Sequence, residues 1–548
     1  MLKNKLTNEK LDLKSSIYKR ITNPFYLIAV ALTAIGTYGF YLANPSPSID
    51  WLSYDRYYSG VLFGQGRFTA TIVERVLNLW DCPVWFEPIL GLVCFILGTL
   101  IMLAIFDGFT EYKSIVPSIV FTCIYITFPL LPEYFIFNGA ILTVGGSTLL
   151  LSLAVYLEIK YKDFLRSILI PTVLMMAVFS WYECMILPYI GMVFAIFYLL
   201  NCENHDLKTK FVITKGLYFA MILIAGIVFE YAVTTAAIKV FSIPLHNGAD
   251  MTIYWKSLSS VLYLLADYAS YWFIKAFCYA PFTILFVFML IFLIMSIVEL
   301  VKYKNFSSVI IFFGMLIPVF AMTVIRCGGG ALYRIEQGMP FFIAFVSYAI
   351  CLGLNRKKFV VKRIIAVAFC FLLTVQIGTS NYSYFVNFLR YEEEKNVILT
   401  VNSEITSKFE SDKPVVFIGE YKISDSLLEK LSYPEESFAA KLKAFAVSKS
   451  PVYKDQLQEI AKIRVKFKSV GSSYLSWCYI YPLDNEHPLS ELYKFCDYIG
   501  VNYKHCTKEQ FEDAKKRYAD LPSYPNKGYA AENDEYIVVK IGDVYNAN

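Results

Sequence analysis

Residues 24–43 read PFYLIAVALTAIGTYGFYLA, a run with no charged side chain. A bilayer's hydrocarbon core is about 30 Å thick, and roughly 20 apolar residues in an α-helix span it. In lipid a helix is one of few shapes that satisfies every backbone N–H and C=O internally. The run is therefore expected to cross a membrane. It carries no convincing small-x-small cleavage site, so it reads as an uncleaved signal anchor.

The same reading extends outward along the chain. Of the 548 residues 57% are hydrophobic and 17% charged, against about 25% charged in ordinary soluble domains. The deficit lies between about Pro24 and Ser380, whereas the sequence from about Arg390 onward has soluble composition. Further runs of spanning length fall near 86–106, 115–131, 136–157, 213–238, 276–298, 307–325, 339–354 and 364–380. The stretch from Ser167 to Leu200 is too long for one span. It is interrupted at Trp181-Tyr182-Glu183 and again at Pro188, and reads as two short helices meeting at a turn. The fold class expected is an α-helical polytopic membrane protein of about 11 transmembrane helices, followed by a small α/β domain.

Loop charges set the expected orientation. One set of segments holds Lys3, Lys5, Lys10, Lys14, Lys19 and Arg20, then Lys113, then Lys160, Lys162 and Arg166. It continues with Lys208, Lys210, Lys302, Lys304, Arg356, Lys357, Lys358, Lys362 and Arg363. The alternate set holds far fewer: Arg56, Arg67, Arg75, Lys239, Lys256, Arg326 and Arg334. By the positive-inside bias the first set is cytoplasmic. An odd span count then places the C-terminal domain outside. The expected organisation is a cytoplasmic tail at 1–23, a membrane domain at 24–389 with long outer loops at 44–85 and 239–271, and an extracytoplasmic domain at 390–548.

The net charge of +5 is spread through short loops, with no basic arm, zinc-ligand spacing or nucleic-acid motif, so a nucleic-acid partner is not expected. Among the twelve cysteines, Cys94, Cys123, Cys278, Cys351 and Cys370 lie in apolar runs as small core residues. Cys478, Cys496 and Cys506 could support one disulfide, with Cys496 to Cys506 the shortest loop. His246, His487 and His505 show no metal-ligand spacing.

The two long outer loops each contain an apolar pattern of helical period too short or too polar to span. Phe68, Ile72, Val76 and Leu79 form one, and Tyr254, Leu258, Leu262 and Leu265 the other. Such helices lie in the interface plane, or plug the bundle. The first loop also concentrates Asp50, Trp51, Tyr54, Asp55, Arg56 and Arg67. A carboxylate beside the membrane can accept a proton from a sugar hydroxyl, and a guanidinium can bind a phosphate with forked geometry. A solvated loop with an incidental ion pair is the plainer alternative. Glu133, Asn138, Glu183 and Glu230 lie near the same level, where ionisable groups at membrane depth mark candidate sites. Arg326, Gly328-Gly329-Gly330 and Arg334 make a basic turn that could hold a phosphate.

The layout resembles the serotype-converting O-antigen glucosyltransferases (Gtr-type) and their Gram-positive relatives, within the GT-C class of membrane glycosyltransferases. Four segments carry the resemblance. They are Pro47-Ser48-Ile49-Asp50 with Gly66-Arg67-Phe68; Glu133 with Tyr134 to Asn138; Trp181-Tyr182-Glu183; and Asn387 to Glu394 leading to Lys413 through Gly419. The resemblance implies a polyprenyl-phosphate-linked sugar donor, glucose or another hexose, and transfer to a hydroxyl of a cell-envelope glycan with inversion. It implies Asp50 as general base with Asp55 in reserve, although this sequence separates by four residues the pair that many members hold adjacent. It implies Arg67, Arg326 and Arg334 for the donor phosphate, and Arg56, Glu133, Asn138, Tyr182 and Glu183 for substrate. Some enzymes of the class use a divalent metal and others do not. A donor-synthesising membrane glycosyltransferase and a donor flippase are the partners such a pathway requires.

In the tail, a charged helix at about Tyr391 to Phe409 precedes a strand at Val415 to Ile418, closed by Gly419. A helix near Lys508 to Ala519 and a strand at Tyr536 to Ile541 follow. No nucleophile elbow, phosphate loop or nucleotide fingerprint is present. Two other classes remain in view. A transporter or flippase of lipid-linked sugars predicts polar groups at the bilayer midplane and internal repeats, neither of which is visible. A membrane-anchored binding protein would leave the long first outer loop without a purpose.

Overall fold

The computed structural model of the protein describes residues 11–47, 64, 66–79, 85–111, 114–136, 140–204, 207–241, 280–325, 335–354, 358–409, 412–431, 441, 473–480 and 488–544. The described residues begin with α1 (Leu13–Ile21) and α2 (Pro24–Ala43). Asn23 caps α2 by accepting from the Tyr26 amide at 3.0 Å, and Pro24 occupies its first turn, where a missing N–H costs nothing. There follow α3 (Phe68–Val76), α4 (Phe86–Asp107), α5 (Val116–Thr127), the short α6 (Pro132–Ile136) and α7 (Ala140–Lys160). Next come α8 (Ile170–Trp181), entered through a π-turn at Leu165–Leu169, and α9 (Ile186–Asn204), entered through a 3-10 turn at Glu183–Met185. The bundle closes with α10 (Thr209–Phe241), α11 (Ala280–Tyr303), α12 (Ser307–Ile325), α13 (Gly338–Gly353) and α14 (Phe359–Lys408).

Among the described residues seven helices are long and apolar enough to cross a membrane: α2, α4, α7, Glu183–Glu203, α10, α11 and α14. Val116–Thr127, Leu165–Trp181, Ser307–Ala321 and Gly338–Gly353 are shorter apolar helices. Large apolar side chains such as Leu217, Phe229, Ile294 and Phe371 stand exposed on α10, α11 and α14. Apolar surface on that scale suits lipid and not water. The apolar pattern read at 254–265 lies outside the described residues; of the other, Phe68, Ile72 and Val76 lie on α3 and Leu79 just beyond it.

Hydrophobicity does not drive helices together inside lipid, so close backbone packing has to. The α4–α7 pair achieves it with glycine. A Cβ added to Gly145 would sit 2.0 Å from the Gly91 carbonyl oxygen, and one added to Gly98 would sit 2.8 Å from the Leu149 amide nitrogen. Elsewhere rings fill the interior, with Phe106, Phe121, Tyr125, Phe341, Phe345 and Tyr348 in mutual edge and stacked contact. At one end of the bundle the Arg20 guanidinium is buried and forked onto the Asp107 carboxylate at 2.9 Å, with Ser118 also 2.9 Å away. This staples α1 across the ends of α4 and α5. The opposite end carries Ser46, Arg67, Tyr182, Gln337 and the departing half of α14.

That half of α14 departs from the sequence-based expectation. A span at 364–380 and a separate charged helix at 391–409 merge into one uninterrupted helix, Phe359–Lys408. Beyond it lie β1 (Val415–Ile418), α15 (Asp425–Leu431), α16 (Tyr474–Ile480), α17 (Ser490–Tyr498), α18 (Lys508–Arg517), β2 (Ala530–Glu532) and β3 (Ile537–Lys540). The sheet order is β1-β3-β2. β1 runs parallel to β3 with Val415 opposite Ile537, and β2 runs antiparallel with Ala530 opposite Val539. Every residue of β1 and β3 is buried, which explains the unalternating apolar runs Val415–Ile418 and Ile537–Val539. Val397, Ile398, Val401 and Ile405, at helical spacing on α14, belong to the same core. Cys478, Cys496 and Cys506 are buried there as free thiols, and no bridge joins Cys496 to Cys506.

Candidate active site

The sequence Gly66-Arg67-Phe68 turns the chain into α3. Gly66 has φ +84°, and a Cβ there would lie 3.0 Å from Oε1 of Glu230 on α10, so glycine fits both the backbone and the space. Oε1 of Glu230 also accepts from the Thr234 hydroxyl at 2.7 Å. α3 docks on the end of α8. The Thr69 and Ser180 hydroxyls are hydrogen-bonded, and Ala70 packs with Leu142 and Trp181.

The docking puts Arg67 over Tyr182, with its guanidinium carbon 5.6 Å from the ring centroid, within cation–π range. Tyr182 is the residue at which the α8–α9 rod breaks, with φ −158° and ψ 110°. Pro188, in the first turn of α9, has no N–H to continue a helix from upstream, so the break is written locally. The Tyr182 ring meets Tyr134 edge to face at 5.8 Å, and the two hydroxyls are 3.5 Å apart. Gln337, the residue preceding α13, donates from Nε2 to the Tyr134 hydroxyl at 2.9 Å. A polar chain therefore runs Gln337, Tyr134, Tyr182, with Arg67 on the last ring. It draws on four distant parts of the sequence.

Of the residues singled out in sequence, Arg67 and Tyr182 are in contact. Glu133 is buried beside Tyr134, and Glu183 is exposed at the helix break. Asp50, Asp55, Arg56, Asn138, Arg326 and Arg334 lie outside the described residues. Sequence reasoning missed Gln337. Its one signal is a polar pair, Glu336-Gln337, both buried directly before an apolar helix. Among the described residues no group of three or more His, Cys, Asp or Glu comes together to hold a metal.

A second polar knot anchors the start of the first long loop. Asn387 on α14 donates to the Ser46 hydroxyl at 2.7 Å and reaches the Ser46 carbonyl at 3.3 Å. Arg390 donates to the Pro47 carbonyl and pairs with Glu394 at 3.5 Å, both side chains being fully buried. Glu394 in turn accepts from the Ser473 hydroxyl at 2.8 Å and from the Tyr474 and Leu475 amides at 2.6 and 3.2 Å. One helix thus ties Ser46 and Pro47 to the core around the sheet.

No curated protein and no solved structure matches the chain. A family model does match, over residues 39–350, described as glucosyl transferase GtrII. That stretch runs from the end of α2 into α13 and contains Asp50, Arg67, Tyr134, Tyr182 and Gln337. With more than half of its length inside that match, the chain belongs to the GtrII glucosyl transferase family.

Proposed function

We propose that the chain is a membrane glycosyltransferase that moves a hexose, glucose by its family, from a polyprenyl-phosphate donor to a hydroxyl of a cell-envelope glycan. The family match carries this reading. In the proposed step the Asp50 carboxylate takes the acceptor hydroxyl's proton as that oxygen attacks the sugar's anomeric carbon. The anomeric carbon–oxygen bond breaks with inversion, and polyprenyl phosphate departs as an anion. Arg67 offers a planar fork to that phosphate, with Arg326 and Arg334 as further donors and Asp55 as the reserve base. Tyr182 limits where the Arg67 guanidinium can point. Arg56, Glu133, Asn138 and Glu183 are the remaining substrate-facing candidates.

The orientation we propose puts the Arg20–Asp107 end in the cytoplasm and the sheet outside. Lys160, Lys162, Arg166, Lys208, Lys210 and Lys302 lie at or beside the helix ends on the cytoplasmic side, which supports it. Counting the four shorter apolar helices with the seven long ones supports about eleven spans. Residues 390–548 are then an extracytoplasmic α/β domain.

The test is transfer by purified protein in lipid nanodiscs, from radiolabelled polyprenyl-phosphate glucose to isolated envelope glycan. Asp50→Asn should keep wild-type thermal unfolding and lose transfer. Full activity in Asp50→Asn would remove the base assignment. Failure of the wild type to consume any polyprenyl-phosphate hexose would remove the whole reading.

A further inference from the structure

A cleft of about 590 Å³ opens where the two parallel strands end, lined by Glu393 and Asn396 of α14, Glu420 to Lys422, Ser424, Ser523 to Pro525 and Asp543. Its floor follows from two glycines. Gly419 has φ +90°, and a Cβ on Gly542 would fall 1.7 Å from the Glu420 carbonyl oxygen. The Glu420 amide donates to the Asp543 carbonyl at 2.8 Å, so the two segments are pinned together just past β1 and β3. The crevice beyond the carboxyl ends of parallel strands is where open α/β sheets receive ligands, and the volume falls in the range of ligand clefts.

The wall chemistry narrows the ligand. Among the described lining residues Glu393, Glu420 and Asp543 stand against one ammonium, Lys422, which pairs with Asp543 at 2.8 Å. The carboxylates are held in place: Glu393 accepts from the Tyr421 hydroxyl at 2.7 Å, the Ser424 amide at 2.8 Å and the Ser424 hydroxyl at 2.5 Å, and Glu420 from the Ser476 hydroxyl at 2.9 Å. An ionised carboxylate has about four lone-pair sites, so Glu393 keeps about one and Glu420 and Asp543 keep more for a ligand. Fixed acceptors beside the rings of Tyr524 and Pro525 suit a ligand rich in hydroxyl donors with apolar ring edges. The excess of negative charge opposes an anionic one.

Position supplies the remaining argument. Glu393 and Asn396 follow Arg390, the anchor of Pro47, by one to two helical turns, or roughly 5–9 Å along the axis. The cleft therefore lies within about two helical turns of the point where α14 holds Pro47, three residues before Asp50 in sequence. We infer that the cleft is a binding subsite for a neutral stretch of the acceptor glycan, presenting the chain to the transfer centre; this rests on the transferase reading above.

The experiment measures binding without donor. Neutral oligosaccharide released from the envelope of the producing cells is labelled at its reducing end and titrated, by fluorescence anisotropy, against full-length protein in nanodiscs. A trigalacturonate of the same label serves as the anionic comparator. Asn396→Trp and Ser523→Trp fill the cleft from opposite walls, and variants are scored only where their thermal unfolding matches wild type. The inference expects wild-type binding, at least tenfold weaker binding in both fillers, and no more than weak binding of trigalacturonate. Binding unchanged by both fillers, absent in wild type, or equal for the anionic sugar would overturn it. Donor consumption by the wild type, assayed separately, reports on the transferase reading alone. Filler-sensitive glycan binding without donor turnover would sink that reading and leave a glycan-binding cleft in place of an acceptor subsite.

Discussion

The Arg390 guanidinium donates to the carbonyl of Pro47, a residue 343 positions earlier in the chain. Both ends of this contact matter. Pro47 lies three residues before Asp50, and Arg390 is one helical turn from Glu394, which holds the Ser473–Leu475 segment. Truncating Arg390 would leave the Glu394 carboxylate buried without its charge partner, at a cost of about 3–5 kcal/mol. Arg390→Ala should therefore lower the thermal unfolding midpoint well beyond Asn387→Ala, which loses a hydrogen bond to Ser46 worth about 1 kcal/mol. Equal midpoints for the two variants in the same nanodiscs would show that the buried pair is not what holds the loop root.

Gln337 and Tyr134 should behave as a unit with Tyr182. Gln337→Leu removes a buried donor, and Tyr134→Phe removes the hydroxyl between its neighbours. Each should cost about 1–2 kcal/mol, and because they share one bond the double variant should cost less than the sum. Unfolding of the two single variants and the double gives the coupling. Strict additivity would mean the 2.9 Å bond contributes nothing to folding.

Gly145 is the sharpest packing test in the bundle. A methyl group there meets the Gly91 carbonyl at 2.0 Å, and backbone cannot move aside as a side chain can. Gly145→Leu should destabilise by about 3 kcal/mol or more, read as loss of a monodisperse detergent-solubilised species. Gly353→Leu, where no neighbour lies within 4 Å of the added Cβ, should leave that species intact. If both variants elute as wild type, the α4–α7 contact is looser than described.

The thiols around the sheet make a pH prediction. Burial pushes Cys496 and Cys506 up from the ordinary thiol range, as it does Cys478. The folded state therefore keeps its thiol protons in alkali where the unfolded chain gives them up, so this stability is complete below the unfolded thiol value. It declines as pH rises beyond about 8.5. Unfolding followed from pH 7 to 10 should show this fall, and replacing Cys496 and Cys506 by alanine should flatten it. Native protein should react with iodoacetamide at these sites only after denaturation. Mass spectrometry showing a Cys496–Cys506 bridge would contradict the free-thiol arrangement.

Much of the architecture could be read locally. A helix in lipid must hide its own backbone, so an apolar run such as 24–43 leaves one solution. The broken rod at Tyr182 and Pro188, the short α3 after Gly66-Arg67 and the strand at Val415–Ile418 were legible for the same reason, since each is specified within a few residues. The family was legible too, in short segments whose order and topology counted for more than any one match.

The fifty-residue α14 was not legible. Between Ser380 and Tyr391 Asn381, Ser383, Asn387 and Arg390 interrupt the apolar run, and such an interruption after an apolar span looks like the end of a helix. Asn387 and Arg390 are buried there because Ser46 and Pro47 supply their partners, and no local rule names a partner more than three hundred residues away. Gln337 escaped notice likewise, since its partner Tyr134 is 203 positions distant. Sequence by itself determined which segments are long and apolar enough to span lipid, because that depends on composition over about 20 residues. Only the tertiary structure decided which polar groups meet at the end of the bundle, because a buried hydrogen bond is specified by both partners at once.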